Sequence, residues 1–319
     1  MAISGLLRPA MLAASRSPRM ERTVTRMSTT KKLVDRFVAG ESEPNAVAAV
    51  ENLLSSGRYI TVDYLGEDTT DIEQARNTVT HYLSLLSLLT LLRESGTVGP
   101  LEVSLKLSAL GQSLPADGHA IAHEHAHQIC TAAADAGVLV TIDAEDHTTT
   151  DSTLSIVREL RADFPSLGTV LQAYLRRTEA DCRDFSGPGS RIRLCKGAYR
   201  EPASVAYQSR AEVDQSYLDC LRVLMDGAGY PMVATHDPAL IEAAEVFATA
   251  TRRGSDDFEF QMLYGIRDAE QRRLVREQRH VRVYVPYGDQ WYGYFMRRLA
   301  ERPANVAFFL RSLRPGSQR

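Results

Sequence analysis

Two adjacent arginines, Arg297 and Arg298, stand about one helical turn before Glu301. This spacing suits a solvated, salt-bridged helix face. It equally suits a carboxylate clamp, because neighbouring guanidiniums repel unless an anion joins them and each fork matches a carboxylate bidentately. The residues alone leave both open. A second set is scattered: Glu67, Lys106, Asp143, Glu145, Lys196, His236 and Tyr284 each end or follow a short β-branched run, while Gln172 and Arg193 lie inside such runs. A lysine beside a carboxylate at a strand end suits the Schiff-base chemistry of an aldolase. The same charges would also serve a barrel that binds an anion without turning it over. His123, Glu124 and His127 spell HExxH, the zinc-protease pattern.

These residues need elements to position them. From about residue 45 the pattern alternates between helical stretches and short β-branched runs, the signature of βα units. Eight strands are expected: Tyr59 to Tyr64, Leu101 to Leu107, Val138 to Ala144, Thr169 to Leu175, Arg191 to Lys196, Pro231 to Thr235, Phe258 to Met262 and Val281 to Val285. Stretches such as Asp71 to Ser95, His119 to Ala136, Thr148 to Phe164, Pro238 to Arg252 and Gln290 to Arg302 have helical spacing. The expected fold is a (β/α)8, TIM-like barrel with extra N-terminal helices and a C-terminal helix over the rim. An open doubly wound sheet is the alternative, but no GxGxxG follows a strand. In a barrel the active site forms at the C-terminal ends of the strands, so ionisable residues there carry functional weight. Buried charges need partners, so their convergence implies a shared polar ligand or, as the plainer reading, structural ion pairs inside the barrel.

The chain has 319 residues, 44% of them hydrophobic, enough for one large core, and is divided here into an N-terminal helical segment, 1–44, and a barrel, 45–319. Its net charge of −3 gives no general field for nucleic acid or anionic membrane. Cys130, Cys182, Cys195 and Cys220 show no CxxC spacing, which fits a reducing cytosol. The apolar run Tyr82 to Leu92 is too short to cross a bilayer and reads as a buried helix. Through Lys32 the chain is basic, with Glu21 its one acid, a composition shared by transit peptides and by basic helices on a fold. The HExxH reads as a decoy. Ala122, Ala126, Ile129, Cys130 and Ala133 form that helix's apolar face, leaving His119, His123 and His127 as partly exposed surface residues on the outer ring and no metal expected.

Six segments, SLKLSALG (Ser104 to Gly111), TIDAEDH (Thr141 to His147), RLCKGAY (Arg193 to Tyr199), ATHD (Ala234 to Asp237), FEFQMLYG (Phe258 to Gly265) and YVPYG followed by RRLAERPAN, resemble the proline dehydrogenase family in order and spacing. The resemblance runs from about Arg58 to the C-terminus and favours the short monofunctional bacterial branch. It implies FAD-dependent oxidation of L-proline to Δ1-pyrroline-5-carboxylate, with hydride passing to the flavin. Electrons would go on to a quinone through transient membrane contact by a cytoplasmic protein, and product to a separate pyrroline-5-carboxylate dehydrogenase. By the resemblance, Asp143, Arg193 and Tyr284 are catalytic, and Arg297, Arg298, Lys106 and Tyr199 bind substrate. Glu67 pairs with the first arginine when the site is empty. Ala144, Gln172, Lys196, Gly197, Ala198, Thr235, His236 and Glu301 contact the flavin. Arg200 stands where many long members carry an aromatic residue against the adenine.

Overall fold

Alternation along each strand decides which side chains face the barrel axis and which face the helices. In the computed structural model, which describes residues 34–96 and 99–301, the strands are β1 (Tyr59–Tyr64), β2 (Leu101–Leu105), β3 (Leu139–Ile142), β4 (Gly168–Gln172), β5 (Arg191–Cys195), β6 (Tyr230–Ala234), β7 (Glu259–Leu263) and β8 (Val281–Tyr287). They close in sequence order into one parallel barrel. Val62 pairs with Val103 on one side and with Val285 on the other, so β1 joins the first strand of the barrel to the last. Closure removes the exposed strand edges an open sheet would keep. The doubly wound alternative is thereby excluded.

Helices α1 (Glu43–Ser55), α2 (Ile72–Glu94), α3 (Gly118–Ala136), α4 (Thr150–Leu160), α5 (Thr178–Phe185), α6 (Arg210–Asp226), α7 (Pro238–Ala250) and α8 (Asp268–Arg276) precede or connect the strands. Their starts are written in the sequence. Asp71 and Asp237 each accept a backbone N–H at the N-terminus of α2 and α7, and Ser209 forms a capping box with Glu212 on α6. The outward strand residues, among them Ile60, Val62, Val103, Leu105, Ile192 and Val283, pack with the apolar helix faces in one continuous layer. α9 (Trp291–Glu301) follows β8. Trp291, Tyr292, Tyr294, Phe295 and Met296 bury against Val34, Phe37, Val38, Leu65 and Ile266, which fixes α9 at the C-terminal end of the barrel.

Strand boundaries depart from the expected ones for local reasons. β2, β3 and β4 stop two or three residues early because the chain peels off into turns, such as the short 3-10 turn Leu107–Leu110. β8 runs on to Tyr287 because Ala39 donates to the Pro286 carbonyl and Leu65 to the Tyr287 carbonyl. The basic N-terminal segment through Lys32 lies outside the described residues.

Candidate active site

The axis-facing residues are polar and form two levels. Toward the N-terminal ends, Glu102 accepts from Arg191 Nη2 at 2.5 Å and Arg193 Nη2 at 2.9 Å, while Arg282 donates twice to Glu259 at 2.7 and 3.0 Å. Burial pushes the Glu102 carboxyl up, but Arg282, Arg191 and Arg193 overcome it and hold the group at about 2. At this level the charges pair with one another.

The upper level opens into a cavity of about 980 Å³. Arg193 donates to Asp143 Oδ1 at 2.7 Å, to Ser104 Oγ at 2.9 Å and to Gln261 Oε1 at 2.5 Å. Ser104 also donates to Asp143 Oδ1, and Tyr284 Oη donates to Asp143 Oδ2 at 2.7 Å. Lys106 Nζ lies 2.7 and 2.6 Å from the two oxygens of Asp63, 3.3 Å from Tyr284 Oη and 3.7 Å from Asp143 Oδ2. Desolvation lowers the Lys106 pKa, but Asp63, Asp143 and Glu67 more than reverse it, so the ammonium stays protonated. A Schiff-base nucleophile must be neutral, and the Asp63 ion pair opposes that form.

At the rim, both guanidinium nitrogens of Arg297 pair with Glu67, Nη1 at 3.0 Å, and the group stacks 5.5 Å from the Tyr199 ring. Desolvation opposes the Arg297 charge, but Glu67 carries its pKa above the ordinary value. Arg298 stands 5.3 Å from the Tyr294 ring, and both arginines line the cavity. The side chain of Glu301 lies outside the described residues. Glu145 is tied to the Ser108 backbone and hydroxyl, and burial raises its pKa to about 7.

The remaining expected residues line the other part of the cavity: Ala144, Gln172, Lys196, Gly197, Ala198, Thr235 and His236. Gln172 donates to the Glu145 carbonyl at 2.7 Å, and His236 Nε2 accepts from the Leu263 N–H. Lys196 pairs with Asp214 and Asp237. Gly197 sits at φ +107°, where a side chain would be strained, and a Cβ there would stand 2.4 Å from the Tyr174 ring. The Lys196–Ala198 turn thus packs directly against the Tyr174 ring, and both border the cavity.

The HExxH residues are elsewhere. α3 lies in the outer shell, its Ala122, Ala126 and Ile129 buried, while His123 faces Glu159 at 3.8 Å and His127 faces Asp163 at 3.3 Å. Sequence reasoning missed Asp63, Glu102, Ser104 and Gln261. The signal was present in the strict alternation of polar residues along Glu102–Ser104–Lys106 and Glu259–Gln261.

A closed (β/α)8 barrel gathers Lys106, Asp143, Arg193, Tyr284, Arg297 and Arg298 on one cavity at the C-terminal ends of its strands, where barrel enzymes place their active sites. A family model described as proline dehydrogenase matches residues 46–311. The chain is 38% identical over 316 residues to the proline dehydrogenase of Deinococcus radiodurans, covering 98% of this chain and 100% of that one. It is also 38% identical over 278 residues to proline dehydrogenase 1 of Bacillus subtilis subsp. natto, covering 87% and 89%. Among solved structures, proline utilization A from Bdellovibrio bacteriovorus superposes with a TM-score of 0.78 at 24% identity, covering 85% of this chain and 33% of that one, a likeness of fold. The chain belongs to the proline dehydrogenase family. It is an oxidoreductase that oxidises proline in proline catabolism.

Proposed function

We propose that the barrel from residue 45 onward oxidises L-proline to Δ1-pyrroline-5-carboxylate with FAD in the 980 Å³ cavity, and that the electrons pass to a quinone. The observation that carries this reading is the cavity's two-part lining. One part is cationic, with Lys106, Arg297 and Arg298 on its wall. The other is a turn with a lysine, Lys196–Ala198, beside Thr235 and His236. The volume is at the upper end of ligand sites, and Gly197 lets the turn lie directly on the Tyr174 ring, which also lines the cavity. Ala144, Gln172, Lys196, Gly197, Ala198, Thr235 and His236 would hold the cofactor. Arg200 lines the same cavity and offers a charge where an aromatic would offer a stacking face. Bound flavin supplies the two-electron acceptor for the hydride.

The chain's own groups bind and orient. Arg297 and Arg298 grip the substrate carboxylate, with Lys106 adding charge from below, and Tyr284 and Tyr199 flank the ring. Fixing a rigid small molecule by one handle converts an encounter into a near-attack geometry. Arg193, held by Asp143, Ser104, Gln261 and Glu102, places an immobile positive charge where negative charge develops. Glu67 pairs with Arg297, where a substrate carboxylate would have to compete with it. No helix among the described residues is long and apolar enough to cross a membrane. The product would go to a separate pyrroline-5-carboxylate dehydrogenase. The test is spectroscopic: purified protein should be yellow and bleach on anaerobic addition of proline. Colourless protein that cannot be reconstituted with FAD would overturn the reading.

A further inference from the structure

For proline to give up hydride from the carbon beside nitrogen, its ammonium must first lose a proton, since only a neutral nitrogen has the lone pair that assists. The upper level contains several groups that could take this proton, and their partners separate them. Asp143 accepts from Arg193, Ser104 and Tyr284, so both of its oxygens are engaged by donors. Glu67 is held by both nitrogens of Arg297, and Glu145 by the Ser108 backbone and hydroxyl. Lys106 reaches the cavity but is already an ammonium. Asp63 is held by a cation too, but by a lysine that lines the cavity and can pass a proton on, as an arginine cannot. It is fully buried at the end of β1, and both of its oxygens rest on Lys106 Nζ, at 2.7 and 2.6 Å.

We propose that Asp63 is the proton acceptor for the substrate amine, reached through Lys106. The inference rests on proline oxidation at this site. One proton leaves the substrate nitrogen for Lys106 Nζ while another leaves Nζ for an Asp63 oxygen. Nζ ends as it began, an ammonium. The substrate amine is neutral with its lone pair free, and Asp63 is a neutral acid. No other reactant is needed, and after product leaves the proton passes back through Lys106 to the water that refills the cavity. The Lys106 positive charge persists throughout, so its pull on the substrate carboxylate is not given up while the amine is deprotonated.

The electrostatics fit this role. Burial raises the Asp63 carboxyl to about 6, with Lys106 opposing and Asp143 adding to the rise. An acceptor works best when its pKa is near the working pH, and an ordinary carboxylate near 4 is a weaker acceptor for an ammonium proton. The groups facing the pair are Asp143 on the β3 end, Tyr284 and Tyr287 on β8, Tyr82 on α2, and Glu67 and Glu145 from the rim. Of the carboxyls, Glu145 also titrates near neutrality and must be separated from Asp63 in any pH profile.

The test is the pH dependence of flavin reduction by proline in single turnovers, from pH 5 to 8, on wild type, Asp63→Asn, Asp63→Glu and Glu145→Gln. Wild type should lose rate as pH falls through about 6. Asp63→Asn keeps the shape but cannot accept a proton, so its rate should fall on the order of 10²- to 10⁴-fold and its limb near 6 should vanish. Its inhibition constant for a non-oxidisable cyclic carboxylate should change much less, because Arg297 and Arg298 remain. Asp63→Glu should restore part of the rate, and Glu145→Gln should keep the limb. A limb that survives in Asp63→Asn, or a loss confined to inhibitor binding, would reduce Asp63 to a structural partner of Lys106 and overturn the proposal. If Asp63→Asn does not fold, a wild-type rate flat from pH 5 to 8 overturns it just as well. Wild-type protein whose flavin is not reduced by proline at any pH would instead defeat the functional reading on which this rests.

Discussion

Replacing Glu67 with glutamine should tighten the binding of a proline-like carboxylate, although it removes a charged residue from the rim. Glu67 holds both outer nitrogens of Arg297, and the two side chains are only 24% and 13% exposed. A ligand carboxylate must displace this partner before it can use the arginine. Charge-assisted hydrogen bonds contribute about 1.5 to 3 kcal/mol, and glutamine retains a neutral acceptor. Glu67→Gln should therefore remove about 1.5 kcal/mol of competition, roughly a tenfold fall in the inhibition constant. Arg297→Met deletes the ligand's own contact and should raise the same constant about 10- to 100-fold. The two changes are coupled by one contact, so in the double variant the gain from Glu67→Gln should disappear. The assay is inhibition of proline oxidation by a non-oxidisable cyclic carboxylate, which avoids reading a Michaelis constant as an affinity. Weaker binding in Glu67→Gln, or a gain that persists without Arg297, would refute the competition.

Glu102→Gln should destabilise the protein by about 3 to 5 kcal/mol in urea titrations, because it leaves Arg191 and Arg193 short of a buried counter-charge. In wild type the Glu102 carboxyl is lowered from 4.5 to about 2, worth about 3 kcal/mol. That stabilisation is present above pH 4.5 and lost as pH falls through 2, and circular dichroism between pH 5 and 2 should show a flatter slope in the variant. Gly197→Ala should leave the fold intact but lower the flavin retained after purification, read from absorbance, because a Cβ cannot share space with the Tyr174 ring. His123→Ala and His127→Ala should keep proline oxidation within about twofold of wild type, with or without chelator, since they lie on the outer face of α3; a large loss would restore the metal reading.

Much of the fold was legible because each strand carries its own pattern. The β-branched runs fixed the number and order of strands, and the polar residues at their C-terminal ends marked the rim. Arg297 and Arg298 left a real ambiguity. Adjacent guanidiniums look alike on a solvated face and over a cavity, and the packing of Trp291 and Phe295 against Val34 and Phe37 is what places them at the cavity. Asp63 was harder. It sits inside a correctly read strand, but alternation says only that it faces the axis. That it meets Lys106 depends on the register Asp63 to Ser104, which brings the end of β2 beside it. Glu102 was hidden for the same reason, since its three arginines come from β5 and β8 and a linear chain does not announce which strands will neighbour across a closed ring.

Glu102 also bears on heat. One of its oxygens holds Arg191, which belongs to the buried floor, and the other holds Arg193, which faces the reaction. The guanidinium in the site is thus anchored to the same carboxylate that helps close the ring below it. A site built on a loop can soften and fall silent well before the rest of the molecule melts. Warming should therefore free Arg193 only as the barrel floor opens, which thermal midpoints of the Arg193 contacts and of the fold would show by coinciding.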